Sequence, residues 1–285
     1  MNEITGYDGI TPQALRRYER FLYEQERSRT TIEAYLRGLR AFAEFLNGET
    51  FTKEAAIRWK EALTGRYAPN TVNAMLAAVN GFAEYAGCPQ FKVKPLKIQR
   101  ELFVRPEREL TRSEYARLVS AADRSGNRRL SLVIQTICAT GIRVSELRFI
   151  TVEAVGKGYA RVDCKGKLRT VFLPEKLRRL IGNYLKKQKK TAGAVFTTRS
   201  GRPLDRSNIW RDMKALCESA GVEPGKVFPH NLRHLFARTY YMLEKDLSRL
   251  ADLLGHTNVS TTRIYTAESG KVHARQMERM GLVIT

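Results

Sequence analysis

Three short segments hold the residues best suited to chemistry. They are Ala139-Thr140-Gly141-Ile142-Arg143-Val144-Ser145-Glu146-Leu147, Pro229-His230-Asn231-Leu232-Arg233-His234 and Leu253-Leu254-Gly255-His256, the last running on to Arg263-Ile264-Tyr265. Two arginines, two histidines and a tyrosine are the groups needed to attack a phosphodiester without a metal ion. The transition state of that attack gathers negative charge on the non-bridging oxygens, and arginine meets it with a planar fork that stays charged. Arg143 and Arg233 are therefore the candidate clamps. A tyrosine hydroxyl, with an ordinary pKa of about 10, attacks only beside cations and a base. Tyr265 is the candidate nucleophile, His230 the candidate base (and the acid on the return step), and His256 a hydrogen-bond donor to the phosphate. Glu146, one turn after Arg143, is placed to orient one of the basic groups. His234 and His273 read as structural. No carboxylate cluster suggests a metal, and neither metal nor cofactor is expected.

These segments need a scaffold, and the chain around them reads as mainly α. Thr11-Pro12 opens a helix with a cap and a first-turn proline, after which Leu15, Tyr18 and Leu22 line one face. Ile32, Tyr35, Leu36, Leu39, Phe42 and Leu46 keep helical period up to Asn47-Gly48. A third helix from Thr52 buries Ala56, Trp59 and Leu63, and a fourth after Pro69 carries Val72, Met75, Leu76, Val79 and Phe82. Four such helices predict a compact bundle over residues 1–88. Residues 89–110, where Pro89, Pro95 and Pro106 interrupt a basic stretch, predict an extended interdomain linker. A second domain, 111–285, opens with the capping-box pattern Thr111-Arg112-Ser113-Glu114. It is mixed α/β, mostly helical, with one small sheet: two strand-like runs, Tyr159-Ala160-Arg161-Val162 and Arg169-Thr170-Val171-Phe172-Leu173, flank a Lys165-Gly166-Lys167 turn. Helices resume at Pro174, around Asn208, at Pro229 and at Asp246. A tail from about residue 268 has a helical pattern of its own.

The formal net charge of +21 calls for a polyanionic partner, and nucleic acid is the commonest one for such a chain. The excess is uneven: residues 1–105 carry 16 Lys and Arg against 12 Asp and Glu, whereas residues 106–285 carry 34 against 17. Arg37 and Arg40 on the second helix, and Lys94, Lys97 and Arg100 in the linker, are candidates to lie along a phosphate backbone. A solvated helix face reads the same way. Cys88, Cys138, Cys164 and Cys217 stand far apart without a CxxC pair and read as reduced thiols. The start lacks a signal-peptide pattern and no apolar run reaches the length of a membrane span, so a cytoplasmic protein is expected.

The three segments in this order, ending in the tyrosine, resemble the tyrosine recombinase (phage integrase) family, most of all its Xer-type members. The resemblance covers the second domain, and a helical, SAM-like core-binding domain in front of it also fits. It implies site-specific recombination of double-stranded DNA. Cleavage would pass through a 3′-phosphotyrosine and a Holliday junction, with resealing by a second strand's 5′-hydroxyl and no need of ATP. It further implies a C-shaped clamp on the duplex, two protomers on inverted half-sites, and a homotetramer on synapsed DNA whose C-terminal tails dock on neighbours. The family also uses a lysine in a β-turn, usually before a glycine, to protonate the departing 5′-oxygen. Lys165 matches that pattern, but the turn is one residue shorter than the commonest form and Lys167 is a rival. Xer-like dimer resolution and mobile-element integration, excision or inversion are both compatible with these features.

Two other readings use the same residues. Leu250 to Ser260 resembles a helix-turn-helix, which would make the chain a DNA-binding regulator. His256 and Thr261 are polar where that motif buries apolar side chains, and a regulator has no use for Arg143 or the His230/Arg233 pair. A type IB topoisomerase would share the tyrosine chemistry, but the two-domain layout and the close His256-to-Tyr265 spacing favour a recombinase.

Overall fold

Hydroxyl side chains start the first three helices. Thr11, Ser28 and Thr52 each accept a hydrogen bond from the N–H three residues on, which satisfies one of the unpaired donors of a first turn. They open α1 (Pro12–Glu24), α2 (Arg29–Leu46) and α3 (Lys53–Thr64), while α4 (Pro69–Tyr85) opens on a proline whose missing N–H is not needed there. The computed structural model describes residues 6–7, 9–98, 106–164, 167–256, 258, 261–262 and 277–282. The chain divides into two compact units, Met1–Arg100 and Glu101–Thr285.

In the first unit the four helices turn their apolar faces inward, burying Tyr18, Leu39, Phe42, Leu76, Val79 and Phe82. Phe42 stands edge-on to Phe51 and tilts against Trp59, with ring centroids 5.2 and 4.8 Å away. Residues 89–98, expected to bridge two domains, instead fold back onto this bundle. Asn80 accepts from the Val93 N–H and donates to its carbonyl, both at 2.9 Å, and Asn73 does the same for Leu96 at 2.7 and 2.9 Å. The two amides lie two turns apart on α4 and serve the extended backbone as a neighbouring strand would. Phe91 and Val93 are buried in the same core, and Lys60 donates to the Lys94 carbonyl at 2.8 Å. Arg37, Arg40, Lys94 and Lys97 are exposed, and Arg100 lies outside the described residues.

The second unit opens at the Thr111–Glu114 capping box, which is formed as the sequence predicts, and starts α5 (Arg112–Arg124). Next come α6 (Arg128–Thr140), a 3₁₀ stretch over Val144–Phe149 and α7 (Val152–Lys157). The hairpin pairs β1 (Tyr159–Cys164) with β2 (Lys167–Phe172), antiparallel, from Tyr159↔Phe172 to Cys164↔Lys167. Then follow α8 (Glu175–Lys187), α9 (Arg206–Ala215), α10 (Cys217–Ala220), α11 (Pro229–Glu244) and α12 (Leu247–Leu254). Leu132, Val133, Ile134 and Ile137 of α6 form the centre of the core, with Leu118, Ile181 and Leu232 in the same buried cluster. Ala237, Leu250 and Leu254 make a smaller cluster that joins α12 to α11.

The chain's two tryptophans fall one in each unit, so each unit has its own fluorescence reporter. Phe42→Ala removes a buried ring packed on Trp59 and should destabilise the first unit by about 3–5 kcal/mol. In a Trp210→Phe background, the urea midpoint read by Trp59 should fall accordingly. An unchanged midpoint would contradict this packing.

Candidate active site

The site is assembled where α6 and α12 end and α11 begins. Gly141 and Gly255 close α6 and α12, each with left-handed backbone at φ 63°, a conformation that favours glycine. The surroundings add a second reason. A Cβ at residue 141 would lie 2.5 Å from the Phe236 ring, and one at residue 255 would lie 2.5 Å from Arg169 Cδ. Each glycine ends its helix just before a candidate site residue, Arg143 in one case and His256 in the other. Pro229 starts α11, so His230 sits in the first turn and Arg233 follows one turn later.

Three guanidiniums converge on the end of α12. The carbonyls of Leu253, Leu254 and Gly255 accept from Arg169 Nη1 at 2.6 Å, Arg233 Nη2 at 2.7 Å and Arg143 Nη2 at 3.3 Å. Carbonyls at a helix C-terminus lack intrahelical partners and carry partial negative charge, so they attract cations. Arg233 is 2% exposed. It also donates to the Gly141 carbonyl at the end of α6 and, at 3.0 Å, to His256 Nε2. One side chain thus ties two helix ends and a histidine together.

Glu146 holds two of these cations from behind. Its buried carboxylate accepts the Arg143 backbone N–H at 3.0 Å, Arg143 Nη1 at 2.9 Å and Arg169 Nη2. Burial pushes this carboxyl up, but the Arg143 N–H and the two guanidiniums outweigh it and hold the group below the usual carboxylate range.

Arg143, His230, Arg233 and His256 line one pocket of about 600 Å³, together with Arg206 and Trp210 of α9. Partial burial lowers the His230 pKa below the ordinary histidine value, and the charges of Arg233, Arg143 and Arg206 act in the same direction. His256 falls further, to about 4, through burial and then the Arg233, Arg143 and Arg169 charges. Its Nδ1 lies 2.9 Å from the hydroxyl of buried Thr262. His234 packs on His230 with ring centroids 4.4 Å apart and is likewise pushed down to about 4, chiefly by burial. Both pocket histidines are therefore mainly neutral at pH 7, beside guanidiniums that are fixed cations. The pocket can hold an oxyanion and exchange a proton beside it.

Of the residues singled out from the sequence, Arg143, His230, Arg233 and His256 meet in this pocket and Glu146 stands behind it. Tyr265 and Lys165 lie outside the described residues, as does the side chain of Lys167, whose backbone begins β2. Sequence reasoning missed Arg169, Arg206, Trp210 and Thr262. For Arg169 a signal existed: with Val171 and Leu173 it occupies alternate positions of one strand face, and an arginine on a core-facing side needs a carboxylate.

Residues 108–271 match the Phage integrase family and residues 15–87 match the Phage integrase N-terminal SAM-like domain. The chain is 31% identical to a tyrosine recombinase XerD of Xanthomonas campestris pv. campestris, over 94% of this chain and 92% of the relative. It is 29% identical to a tyrosine recombinase XerA of Pyrococcus furiosus, over 96% of each. Among solved structures, the Tn1549 transposon integrase in complex with transposon right end DNA shares the fold. That match has a TM-score of 0.74 and 16% identity, and covers 94% of this chain and 99% of that one.

Glu146→Gln keeps the shape of the carboxylate and removes its charge. A carboxyl held below its unfolded value of about 4.3 stabilises the fold in full above that pH, and the contribution disappears as pH falls through the lower folded value. Wild-type stability should therefore drop with acid in that window, and the glutamine variant should lack this component. At pH 7 the variant should lose about 3 kcal/mol, the cost of leaving Arg169, and in part the more exposed Arg143, without their carboxylate. Urea unfolding across pH measures both effects.

Proposed function

For a chain that belongs to the phage integrase family and is a tyrosine site-specific recombinase, we propose the following division of labour. The Tyr265 hydroxyl attacks a backbone phosphorus of duplex DNA; the new P–O(Tyr) bond forms as the P–O5′ bond breaks, which leaves a 3′-phosphotyrosine and a 5′-hydroxyl. Arg143 and Arg233 hold the non-bridging oxygens as their charge grows. His230 takes the tyrosine proton and returns it when a 5′-hydroxyl from the second strand reverses the step. His256 donates a hydrogen bond to the same phosphate. Lys165 supplies the proton for the departing 5′-oxygen, with Lys167 as the alternative. Metal and ATP have no part in this scheme.

The observation that carries the reading is the convergence of Arg143, Arg233, His230 and His256 on one pocket. The lowered His230 value adds support, because a neutral imidazole beside fixed cations is ready to accept a proton at neutral pH. The exposed Arg37, Arg40, Lys94 and Lys97 are proposed to contact the phosphate backbone, which sets affinity without reading bases. Two protomers on inverted half-sites, four in the synaptic complex and a Holliday junction between two rounds of exchange complete the scheme. Tail docking on a neighbouring protomer is proposed as well, and the exposure of Met277, Met280 and Leu282 supports it. Similarity to tyrosine recombinases over 94% of the chain does not favour a regulator or a topoisomerase.

Covalent trapping tests the nucleophile. Nicked duplexes from DNA flanking the gene, incubated with the protein in EDTA, should give a protease-sensitive adduct on denaturing gels. Tyr265→Phe should give none; an adduct that survives this substitution would assign the attack to another residue.

The pH profile of adduct formation in a single turnover at subsaturating DNA, which reports the groups of the free protein, tests the base. Because the working form of His230 is neutral and its pKa lies below the ordinary 6.5, the rate should hold as pH falls to that value and decline only beneath it. His230→Ala should slow the step by about 10²-fold or more and remove this acid limb. An acid limb centred above pH 6.5 would contradict the assignment.

A further inference from the structure

We propose that Thr262 sets the tautomer of His256 and reverses it when a phosphate enters, which makes Thr262 a positioning residue for cleavage. The proposal rests on the reading of His256 as a phosphate donor. In the structure, His256 Nε2 lies 3.0 Å from Arg233 Nη2, and His256 Nδ1 lies 2.9 Å from Thr262 Oγ1. A guanidinium can only donate, so Nε2 accepts there, and the ring proton of the neutral imidazole sits on Nδ1. Thr262 then accepts that proton's hydrogen bond. This tautomer presents a lone pair at Nε2 and has no Nε2–H to offer a phosphate oxygen.

Donation to phosphate requires the other tautomer. When a phosphate oxygen takes up the Arg233 N–H that Nε2 accepts in the free protein, Nε2 is released from its donor. The Nδ1–H bond breaks and an Nε2–H bond forms, with solvent water carrying the proton, and the net charge of the ring is unchanged. Nδ1 must then accept a hydrogen bond. A hydroxyl suits both states because it donates as readily as it accepts, whereas a carboxylate at this place would hold the proton on Nδ1. Thr262 is fully buried, so its hydroxyl depends on the imidazole as much as the imidazole depends on it. The alternative, a doubly protonated ring, is disfavoured by burial and then by the guanidiniums around it, as the lowering of His256 to about 4 reflects.

Ring-nitrogen spectra and cleavage rates test this together. In protein labelled with ¹⁵N-histidine and assigned through His256→Gln, long-range ¹H–¹⁵N correlations should show the Nδ1–H form of His256 without DNA. In the Tyr265→Phe protein bound to the nicked duplex, they should show the Nε2–H form. Thr262→Val should weaken the Nδ1–H preference and slow adduct formation about tenfold at unchanged DNA affinity, and Thr262→Ser should restore both. The Nε2–H form in the free wild-type protein would overturn the proposal, and so would a folded Thr262→Val protein that cleaves at the wild-type rate. The wild-type spectra decide the matter even where the valine variant fails to fold. A wild-type protein that forms no adduct would sink the reading of the reaction itself, a result distinct from a wild type that cleaves and a valine variant that cleaves equally well.

Discussion

The carbonyls at the C-terminal end of α12, Leu253 and Leu254 with the capping Gly255, are where the geometry of the second unit's candidate site is decided. A helix that stops in the protein interior leaves acceptors to be satisfied. Here three arginines from a loop, a strand and another helix do so at Leu253, Leu254 and Gly255. Because each arginine has a planar fork, satisfying one carbonyl fixes where its other N–H groups point. Arg143 and Arg169 direct theirs to Glu146, and Arg233 directs its own to Gly141 and His256. The same bonds that close the helix thus orient the cations of the site. Gly255 makes the arrangement possible, since its missing side chain leaves room for Arg169.

Such a cluster has a surplus of positive charge, and that surplus divides the labour. Fixed cations cannot give or take protons at physiological pH, but they add to burial, the larger cause, in keeping neighbouring imidazoles neutral. His230 and His256 are held in the form that can accept a proton or choose a tautomer, while the arginines beside them stay charged. The buried carboxylate of Glu146 offsets part of the repulsion between Arg143 and Arg169. This is preorganisation in the electrostatic sense: the charges are set before the ligand arrives.

The first unit shows a related economy with neutral groups. Asn73 and Asn80 of α4 each offer one donor and one acceptor to an extended backbone segment that has no strand beside it. Lys94 and Lys97 of the segment face solvent, and its apolar Phe91 and Val93 enter the core. A stretch that looks like free linker by proline content and charge is held in place by two side chains more than twelve residues away.

Local signals in the sequence determined much of this protein. Helix starts at Thr11, Thr52 and Thr111, the inward faces of the first four helices and the hairpin around Lys165 to Lys167 all follow from caps and periodicity, which act over a few residues. The types and order of Arg143, His230, Arg233 and His256 likewise pointed to one chemistry, because few residue sets can handle a phosphodiester. Tertiary structure decided what depends on distant partners. The six-residue α7 is too short to show a period, and the docking of residues 89–98 relies on asparagines whose role appears only across the fold. Arg169 became part of the site because Glu146 and the end of α12 lie within reach of its strand, and Thr262 because a histidine ring six residues earlier turns back onto it. Periodicity reports which face of an element is buried; only the packed chain determines which polar groups on that face find each other.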